Sequence, residues 1–280
     1  MDSRVTLLAT PALTVELLRC RLGPGPTPSS HTEERQVLFP LAGSFHWHVG
    51  KTTSFVDPNH VMFVETDEES MDTHPVPTEV TCLIATVAAT TSRRLWRTPR
   101  AFLARVARIS PRLQAHQMWL ASALRADHPA AVQEARVLDL LAAATVEAGE
   151  VAREPSSYAA KILARRAKAL FADRGKLIAL SELAELLDVS PAHLTDSFHR
   201  AEGVPIVRYQ IQLRIARALR ALPHANDLAA LAVSLGFASH SHFSTAFRAH
   251  VGLTPSQYRA AARRGDSIET IRKRARAAPG

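Results

Sequence analysis

The sequence predicts a mixed α+β fold, with a small antiparallel β-barrel first, a helical hairpin next and an all-α domain last. Two observations support this prediction. From position 36 to position 87, short stretches rich in β-branched residues recur at roughly ten-residue spacing, which is typical of small antiparallel sheets. From position 91 onward the chain is rich in alanine, leucine and arginine at helical spacing, and one helical pattern occurs twice. The C-terminal domain is therefore expected to hold two helix-turn-helix motifs joined by a long helix.

The repeated pattern lies between residues 180 and 259. Its shared positions are Ser190, Leu194, Phe198, Gly203 and Tyr209 in the first copy and Ser239, Phe243, Phe247, Gly252 and Tyr258 in the second, each 49 residues later. Each copy has the pattern of a helix, a tight turn and a second helix. Because a stacked solenoid needs more than two units, the two copies indicate a duplicated module.

Capping signals mark the helices of both copies. Ser190 and Ser239 are expected to cap the second helix of each copy, because a serine hydroxyl accepts a hydrogen bond from the backbone of the first turn. Ser181 and Asp227 are expected to cap the first helices in the same way. Gly236 is expected to supply the left-handed residue after a helix, since glycine adopts positive φ without strain.

The second helix of each copy, which we call its reading helix, has one apolar face and one polar face. The apolar residues lie four and eight places after the capping serine, in a stripe that suits packing. The candidate DNA-contacting residues are Ala192, His193, Thr195, Asp196 and His199 in the first copy and His240, Ser241, His242, Ser244, Thr245 and Arg248 in the second. Most of these side chains are short, polar or cationic, and such side chains can reach base edges or phosphates in the major groove of double-stranded DNA.

A longer helix is predicted between the copies, beginning around Pro205. Its apolar residues at helical spacing are Ile206, Tyr209, Leu213, Ala216 and Leu219. A helix of about 17 residues is roughly 25 Å long. That length is of the right order to hold two reading helices about one DNA turn (~34 Å) apart, once their own offsets are added. One chain could therefore read two successive segments of the major groove.

The combined pattern resembles a known family of DNA-binding domains. The residues read LxxLAxxLxxSxxxLxxxFxxxxG, then the linker helix, then LAxxLGFxSxxxFxxxFxxxxGxTPxxYR. Over roughly Ser157 to Arg264 the chain resembles the DNA-binding domain of the AraC/XylS family of bacterial transcription regulators. This resemblance implies a sequence-specific transcription regulator, with RNA polymerase as a partner and activation as the expected effect. The residues themselves do not decide between activation and repression.

Asp196 departs from the habit of that family, in which a long basic or amide side chain is frequent at the matching position. An aspartate can accept a hydrogen bond from a cytosine amino group, but nearby phosphates repel it. We therefore expect the first reading helix to read little and the second to carry most of the specificity.

The net charge of +8 is unevenly distributed, with −6 on residues 1–90 and +14 on residues 91–280. This asymmetry suggests that only the later part of the chain meets a polyanion. We divide the chain into a β sensor domain at 1–90, a helical linker at 91–154, the double helix-turn-helix domain at 155–264 and a basic tail at 265–280. The layout of the N-terminal part resembles a cupin-type sensor domain, which implies a small-molecule effector or self-association.

Three further expectations concern single segments of this layout. From Thr10 to Cys20 the pattern suits a strand and a short helix equally, and Gly23–Ser30 is a loop by composition. The arginine-rich stretch from Ser92 to Ile109 is expected to be helical. The linker helices that follow are expected either to pack within the chain or to form a homodimer.

His46 and His48 are candidate metal ligands, because residues two apart in a strand point to the same face. His74, on a later strand, could supply a third ligand. Cupin metal sites resembling this pair have a glutamate four or five residues later, whereas Thr52 and Thr53 occupy those positions here. Our interpretation is a regulator that needs no cofactor and is not an enzyme. The alternative is a metal-dependent cupin-type enzyme with an appended DNA-binding domain.

The two cysteines, Cys20 and Cys82, form no disulfide framework and suit a reducing compartment. The first residues lack the pattern of a signal peptide, and no apolar run reaches the ~18 residues of a membrane helix. We therefore expect a cytoplasmic protein with no membrane partner.

Overall fold

The computed structural model of the chain describes residues 3–74, 76–96, 102, 105–126, 128–150, 157–174 and 177–264. The expected boundary at 154 and the basic tail at 265–280 lie outside the described residues. Within the described part, no helix is both long enough and apolar enough to cross a lipid bilayer.

Antiparallel strands make up the N-terminal part of the chain, which we call the β region. The strands are β1 (Ser3–Ala9), β2 (Leu13–Leu22), β3 (Gly25–Pro26), β4 (Gln36–Ala42), β5 (Phe45–Val49), β6 (Thr52–Val56), β7 (His60–Val64), β8 (Ser70–His74), β9 (Thr78–Val87) and β10 (Val106–Arg108). They form a six-stranded sheet in the order β1-β2-β9-β4-β7-β10 and a four-stranded sheet in the order β3-β8-β5-β6. The segment that suited a strand and a helix equally is therefore a strand, and the expected loop contains the short β3.

Apolar side chains occupy the space between the two sheets. This core contains Phe45, Trp47, Val49, Val56, Met62, Val64, Val80, Cys82 and Ile84. Along β5 the burial alternates, since His46 and His48 are only half-buried while the residues between and beside them are buried. Such alternation places one face of a strand against a core and the other away from it.

The expectation of a helix from Ser92 to Ile109 is confirmed only at its start and is wrong at its end, and residues 97–101 and 103–104 lie outside the described part of the chain. A short helix, α1 (Ala89–Leu95), is followed at Val106–Arg108 by strand β10, which pairs with β7 at the edge of the larger sheet. Arg105 precedes the strand with a left-handed φ of 58°. The pairing satisfies backbone groups of β7 that an open sheet edge would leave unpaired, and this tertiary contact outweighs local helix propensity.

Helices make up the rest of the described chain. They are α2 (Pro111–Ala123), α3 (Ala130–Glu150), α4 (Tyr158–Arg174), α5 (Leu180–Leu187), α6 (Pro191–Glu202), α7 (Ile206–Ala221), α8 (Leu228–Ser234), α9 (His240–Val251) and α10 (Pro255–Arg264), with a 3₁₀ turn at Leu222–His224. The hairpin expected after the β region is formed by α2 and α3, which contact each other. The long helix expected near Pro205 is α7.

Two separate apolar cores hold the two copies of the repeat. The smaller core contains Leu163, Phe171, Leu183, Leu194, Phe198 and Tyr209, from α4 to the first turn of α7. The larger core runs from the six-stranded sheet through α2 and α3 to the second copy, and includes Val37, Leu120, Leu140, Ile215, Phe243 and Phe247. The second copy is thus packed into the same core as the β region, whereas the first copy has a core of its own.

Candidate nucleic-acid interface

The first module consists of α5, a tight turn and the reading helix α6. Ser190 caps α6 as expected, because its hydroxyl accepts a hydrogen bond from the N–H of His193 at 3.2 Å. The helix ends at Gly203, whose φ is 70°. The expected cap at Ser181 is wrong, since α5 begins at Leu180, two residues earlier than that cap implies, and Ala179 occupies the capping position without a side-chain hydrogen bond.

The second module consists of α8, a tight turn and the reading helix α9. Asp227 caps α8, with its Oδ1 accepting hydrogen bonds from two N–H groups of the first turn at 2.7 and 3.1 Å. Gly236 forms the turn with a φ of 77°. Ser239 caps α9, since its hydroxyl accepts from the N–H of His242 at 3.1 Å. These three expectations are confirmed.

Aromatic pairs anchor both reading helices from behind. Phe198 and Phe247 are fully buried, as the spacing predicts. The ring of Phe198 packs edge-on against Tyr209 with centroids 5.3 Å apart, and Phe247 packs in the same way against Tyr258 at 5.8 Å. Because equivalent pairs hold α6 and α9, each module exposes the equivalent face of its reading helix.

All five candidate residues on α6 are exposed. The hydroxyl of Thr195 donates a hydrogen bond within the helix, to the carbonyl of Pro191 at 2.9 Å. Asp196 forms an ion pair with Arg200, whose Nε lies 3.1 Å from Oδ1. Sequence reasoning missed Arg200, although an aspartate four residues before an arginine is a recognised helical pairing. The pair reduces the repulsion from phosphate that we expected of Asp196.

On α9, five of the six candidate residues are exposed and Ser244 is half-buried. The hydroxyl of Ser244 lies 3.4 Å from Nε2 of His240. The ring of His242 packs edge-on against Phe237 in the turn of the same module, with centroids 5.5 Å apart. The candidate readers therefore divide into side chains with partners in their own module and side chains with exposed polar ends.

Arg214 of α7 holds the turn of the second module, and sequence reasoning missed it. Its guanidinium donates a hydrogen bond to the carbonyl of Gly236 and lies 4.6 Å from the centroid of the Phe237 ring. A Cβ at Gly236 would stand 3.2 Å from a guanidinium nitrogen. Burial lowers the pKa of Arg214, and the neighbouring Arg217 lowers it further. Gly236 is therefore required both for its positive φ and for this close approach.

Some of the basic side chains in the C-terminal part bind backbone of the same chain. Arg259 donates hydrogen bonds to the carbonyls of Ala225 and Asn226, both at 3.1 Å. Arg263 donates to the carbonyl of Pro223 at 2.9 Å. These bonds fasten α10 to the segment that leads into α8. Part of the positive charge thus stabilises the second module internally.

The three candidate metal histidines do not converge. His46 and His48 lie on the face of β5 that points away from the core between the sheets. The ring nitrogens of His48 lie 3.0 and 2.7 Å from two threonine hydroxyls. His74 lies on the core side, with its ring 5.9 Å from that of Phe45. Burial lowers the pKa of His46 to about 4. Across the described ranges, no three His, Cys, Asp or Glu side chains stand close enough to hold a metal ion.

Comparisons with known proteins find matches to the segment that contains the two modules. A family model described as a helix-turn-helix domain matches residues 183–261. The chain is 30% identical over 83 residues to the bifunctional transcriptional activator/DNA repair enzyme AdaA of Bacillus subtilis, a match that covers 29% of this chain and 39% of AdaA. It is also 30% identical over 92 residues to the HTH-type transcriptional regulator RipA of Corynebacterium glutamicum, covering 33% of this chain and 28% of RipA.

A solved structure of an AraC-type transcriptional regulator from Chromobacterium violaceum is 25% identical over 38% of this chain and 96% of that chain, with a TM-score of 0.35. The matched stretch is less than two-fifths of the length of AdaA and of RipA. The C-terminal part of this chain carries, over residues 183–261, a helix-turn-helix DNA-binding domain of the AraC type.

Proposed function

We propose that the protein regulates transcription by sequence-specific binding to double-stranded DNA, with α6 and α9 in successive segments of the major groove. The observation that carries this proposal is the pair of capped modules, each with its aromatic side buried and its polar side exposed. The family of the matched domain supports it. Two relatives whose names describe a transcriptional activator and a transcriptional regulator support it further.

Within this function, we assign most base recognition to α9, through Ser241, Thr245 and Arg248. On α6 we assign His199 and Arg200 to phosphate contacts, and the ion pair with Asp196 holds part of the Arg200 charge back from phosphate. The remaining candidates are Ala192, His193, Thr195, His240, His242 and Ser244, and we place them along the same two groove-facing surfaces. This assignment follows from charge, since cations favour phosphate and short polar groups reach base edges.

The experiment selects bound sites from random double-stranded DNA with the full chain, which should recover two blocks of sequence preference. Thr245→Arg should then change the preferred bases in one block, by ~1–3 kcal/mol at the affected pair. Val233→Arg adds the same charge at an exposed position on α8 and should leave both blocks unchanged. Recovery of no preferred sequence, or an equal change from both substitutions, would refute the proposal.

We propose the site of a small-molecule effector in a cleft of about 110 Å³ between the β region and α7. Its lining includes the apolar Leu41 and Leu213, the cationic Lys168, Arg217 and Arg220, and the carboxylate of Asp57, which is paired with His60 and Tyr209. A small organic anion suits this lining, and the core between the sheets is occupied by side chains.

Butyrate and its neutral amide are suitable probes of this cleft, because they differ mainly in charge. Butyrate should raise the melting temperature of the protein and butyramide should not. Arg220→Gln should remove the effect, whereas Arg208→Gln, at an exposed position of α7, should retain it. Equal responses to both compounds would refute this site.

We propose that the protein forms a homodimer through α3 and activates transcription together with RNA polymerase. The exposed face of α3 consists mostly of small or apolar residues, with one charged residue, Asp139, near its middle; it includes Ala131, Val132, Ala135, Ala142, Val146 and Gly149. Apolar faces of this kind are commonly covered by a partner. Val146→Glu should shift the sedimentation of the protein towards the monomer, whereas Val5→Glu, at an exposed position of β1, should not.

Transcription in vitro from a promoter with a selected site should rise when the protein is added, and unchanged transcription would refute activation.

A further inference from the structure

A cluster of buried polar and charged side chains joins the β region to the first module. It lies where the turn between β6 and β7 meets α4, α6 and α7. Oδ1 of Asp57 lies 2.9 Å from Nδ1 of His60, and Oδ2 accepts a hydrogen bond from the hydroxyl of Tyr209 at 2.6 Å. Nε2 of His60 lies 3.7 Å from Glu202, whose other oxygen is 2.7 Å from Nζ of Lys168. Asp57 and His60 belong to the β region, Glu202 belongs to the first module, and Lys168 and Tyr209 belong to α4 and α7, which share the small core with that module.

The charges of this cluster are matched. Burial alone would lower the pKa of His60, but the adjacent Asp57 raises it above its usual value. Burial alone would raise the pKa of Glu202, but Lys168 and His60 hold it at about 2. Both carboxylates are therefore ionised near neutral pH; Glu202 faces the ammonium group of Lys168, and Asp57 faces His60, whose protonated form it stabilises. The short pairs Asp57–His60 and Glu202–Lys168 each lie on one side of the junction, so the contacts that cross it are the Tyr209 hydroxyl on Asp57 and the longer His60–Glu202 pair.

The position of the cluster matters because the first module has its own core. The second module is fixed to the β region by the large core, whereas α4, α5 and α6 have no share in that core. Two further hydrogen bonds join α7 to the β side: Nδ2 of Asn59 donates to the carbonyl of Tyr209 at 3.4 Å, and Nε2 of Gln212 donates to the carbonyl of Ile109 at 2.9 Å. We call these two bonds and the polar cluster together the seam. These contacts with the β region, together with Lys168 over the Phe55 ring at 5.4 Å and the continuous helix α7, orient the first module relative to the second.

We infer that Asp57 and His60 are positioning residues for DNA recognition, which set the separation and angle of α6 and α9 by holding Tyr209 and Glu202. They act through the first module and not by contact with DNA. The inference rests on the proposed function and extends it, because it makes residues of the β region determine which spacing between half-sites the protein selects. Two modules held rigidly read one spacing, whereas two modules joined only by α7 accept several.

Tyr209 and Tyr258 provide a matched pair of substitutions. They occupy equivalent positions of the two copies, both rings are buried, and each packs on the phenylalanine of its reading helix. Tyr209→Phe keeps the ring and removes the hydroxyl that reaches Asp57. Combined with Glu202→Gln, it removes both the hydroxyl that bonds to Asp57 and the negative charge that faces His60, while each side chain keeps its shape. Tyr258→Phe is the control, because it deletes the equivalent hydroxyl in the second module.

The experiment measures the affinity of the full chain for selected sites whose half-site spacing is changed by one or two base pairs. Each added base pair moves one half-site by about 3.4 Å and rotates it by about 34°. The unchanged protein and Tyr258→Phe should lose about tenfold or more in affinity for each added base pair. The double variant, Tyr209→Phe with Glu202→Gln, should lose less than about threefold. The inference is overturned if the double variant keeps the spacing preference, or if Tyr258→Phe relaxes it equally.

The ratio of the affinities for the selected spacing and for a changed spacing separates a relaxed spacing preference from loss of folded protein. A partly unfolded variant binds every site more weakly by the same factor, so its spacing preference does not change. Absence of any DNA binding by the unchanged protein would refute the proposed function. Binding with a spacing preference that the double variant retains would refute only this inference.

Discussion

Phe198→Ala and Phe247→Ala remove the same side chain from two different cores. Both rings are fully buried behind their reading helices. Phe198 packs against Phe171 and Tyr209 within the small core of the first module. Phe247 lies in the large core that continues into the β region. Truncating a buried phenylalanine costs ~3–5 kcal/mol of unfolding free energy, because it leaves a cavity.

The fluorescence of the three tryptophans distinguishes the loss of stability in one core from the loss in the other. Trp47 lies between the sheets, and Trp96 and Trp119 lie in the large core, so tryptophan fluorescence reports on the β region and on the second module's core. Urea unfolding followed by this fluorescence should show the full loss for Phe247→Ala and little change for Phe198→Ala. Hydrogen exchange in peptides of α6 should show the opposite order. Val233→Ala, at an exposed site, should change stability by no more than about 0.5 kcal/mol.

A fluorescence transition lowered equally by both truncations would mean that the two cores unfold together. The first module would then be no separate unit, and the argument for its positioning by the seam would fail. Either phenylalanine replaced without loss of melting temperature or DNA affinity would show that its helix is wrongly assigned.

Four further predictions follow from the same contacts. DNA affinity should fall on the order of 10³-fold between about 50 and 200 mM salt if about six phosphates are neutralised, and a flat response in a salt titration would count against DNA binding. Asp196→Ala frees Arg200 and should tighten binding to most sequences with little change in preference; weaker binding only at sites with one particular cytosine would make Asp196 a base reader. Gly236→Ala places a Cβ at a position with positive φ and close to the Arg214 guanidinium, so it should lower the free energy of unfolding by ~1–2 kcal/mol in thermal denaturation. Unchanged stability would argue against the contact between Arg214 and this turn. The pKa of Glu202 is held at about 2 against a usual 4.5, so its contribution to stability is present above about pH 4.5 and is lost as the pH falls towards 2. Acid unfolding of Glu202→Gln should accordingly be shallower over that range, and an identical acid profile would contradict the ion pairs.

Local signals in the sequence predicted the modules well. The caps at Ser190, Asp227 and Ser239 and the turn at Gly236 depend on neighbouring residues only, and each is present as predicted. The burial of the aromatic stripes follows from helical periodicity in the same way. Ser181 shows the limit of such signals, because a helix can begin two residues earlier without a side-chain cap.

Contacts between distant residues were not predictable from local patterns. Strand β10 forms because β7 offers an edge, and no periodicity in an arginine-rich stretch encodes that pairing. The bond between Asp57 and Tyr209 joins residues 152 positions apart. Arg214 reads in the sequence as one more basic residue of a helix, yet it is buried on the second module's turn. In each case tertiary packing decides the role of a residue whose type alone is uninformative.

Methylation interference on a selected site tests the central claim most directly, because it marks guanine N7 atoms in the major groove and adenine N3 atoms in the minor groove that a protein approaches. The full chain should show two patches of interference on one face of the duplex, about 10 base pairs apart. Thr245→Arg should alter one of these patches and leave the other in place. A single patch, or interference confined to the minor groove, would contradict the reading of two successive major-groove segments by α6 and α9.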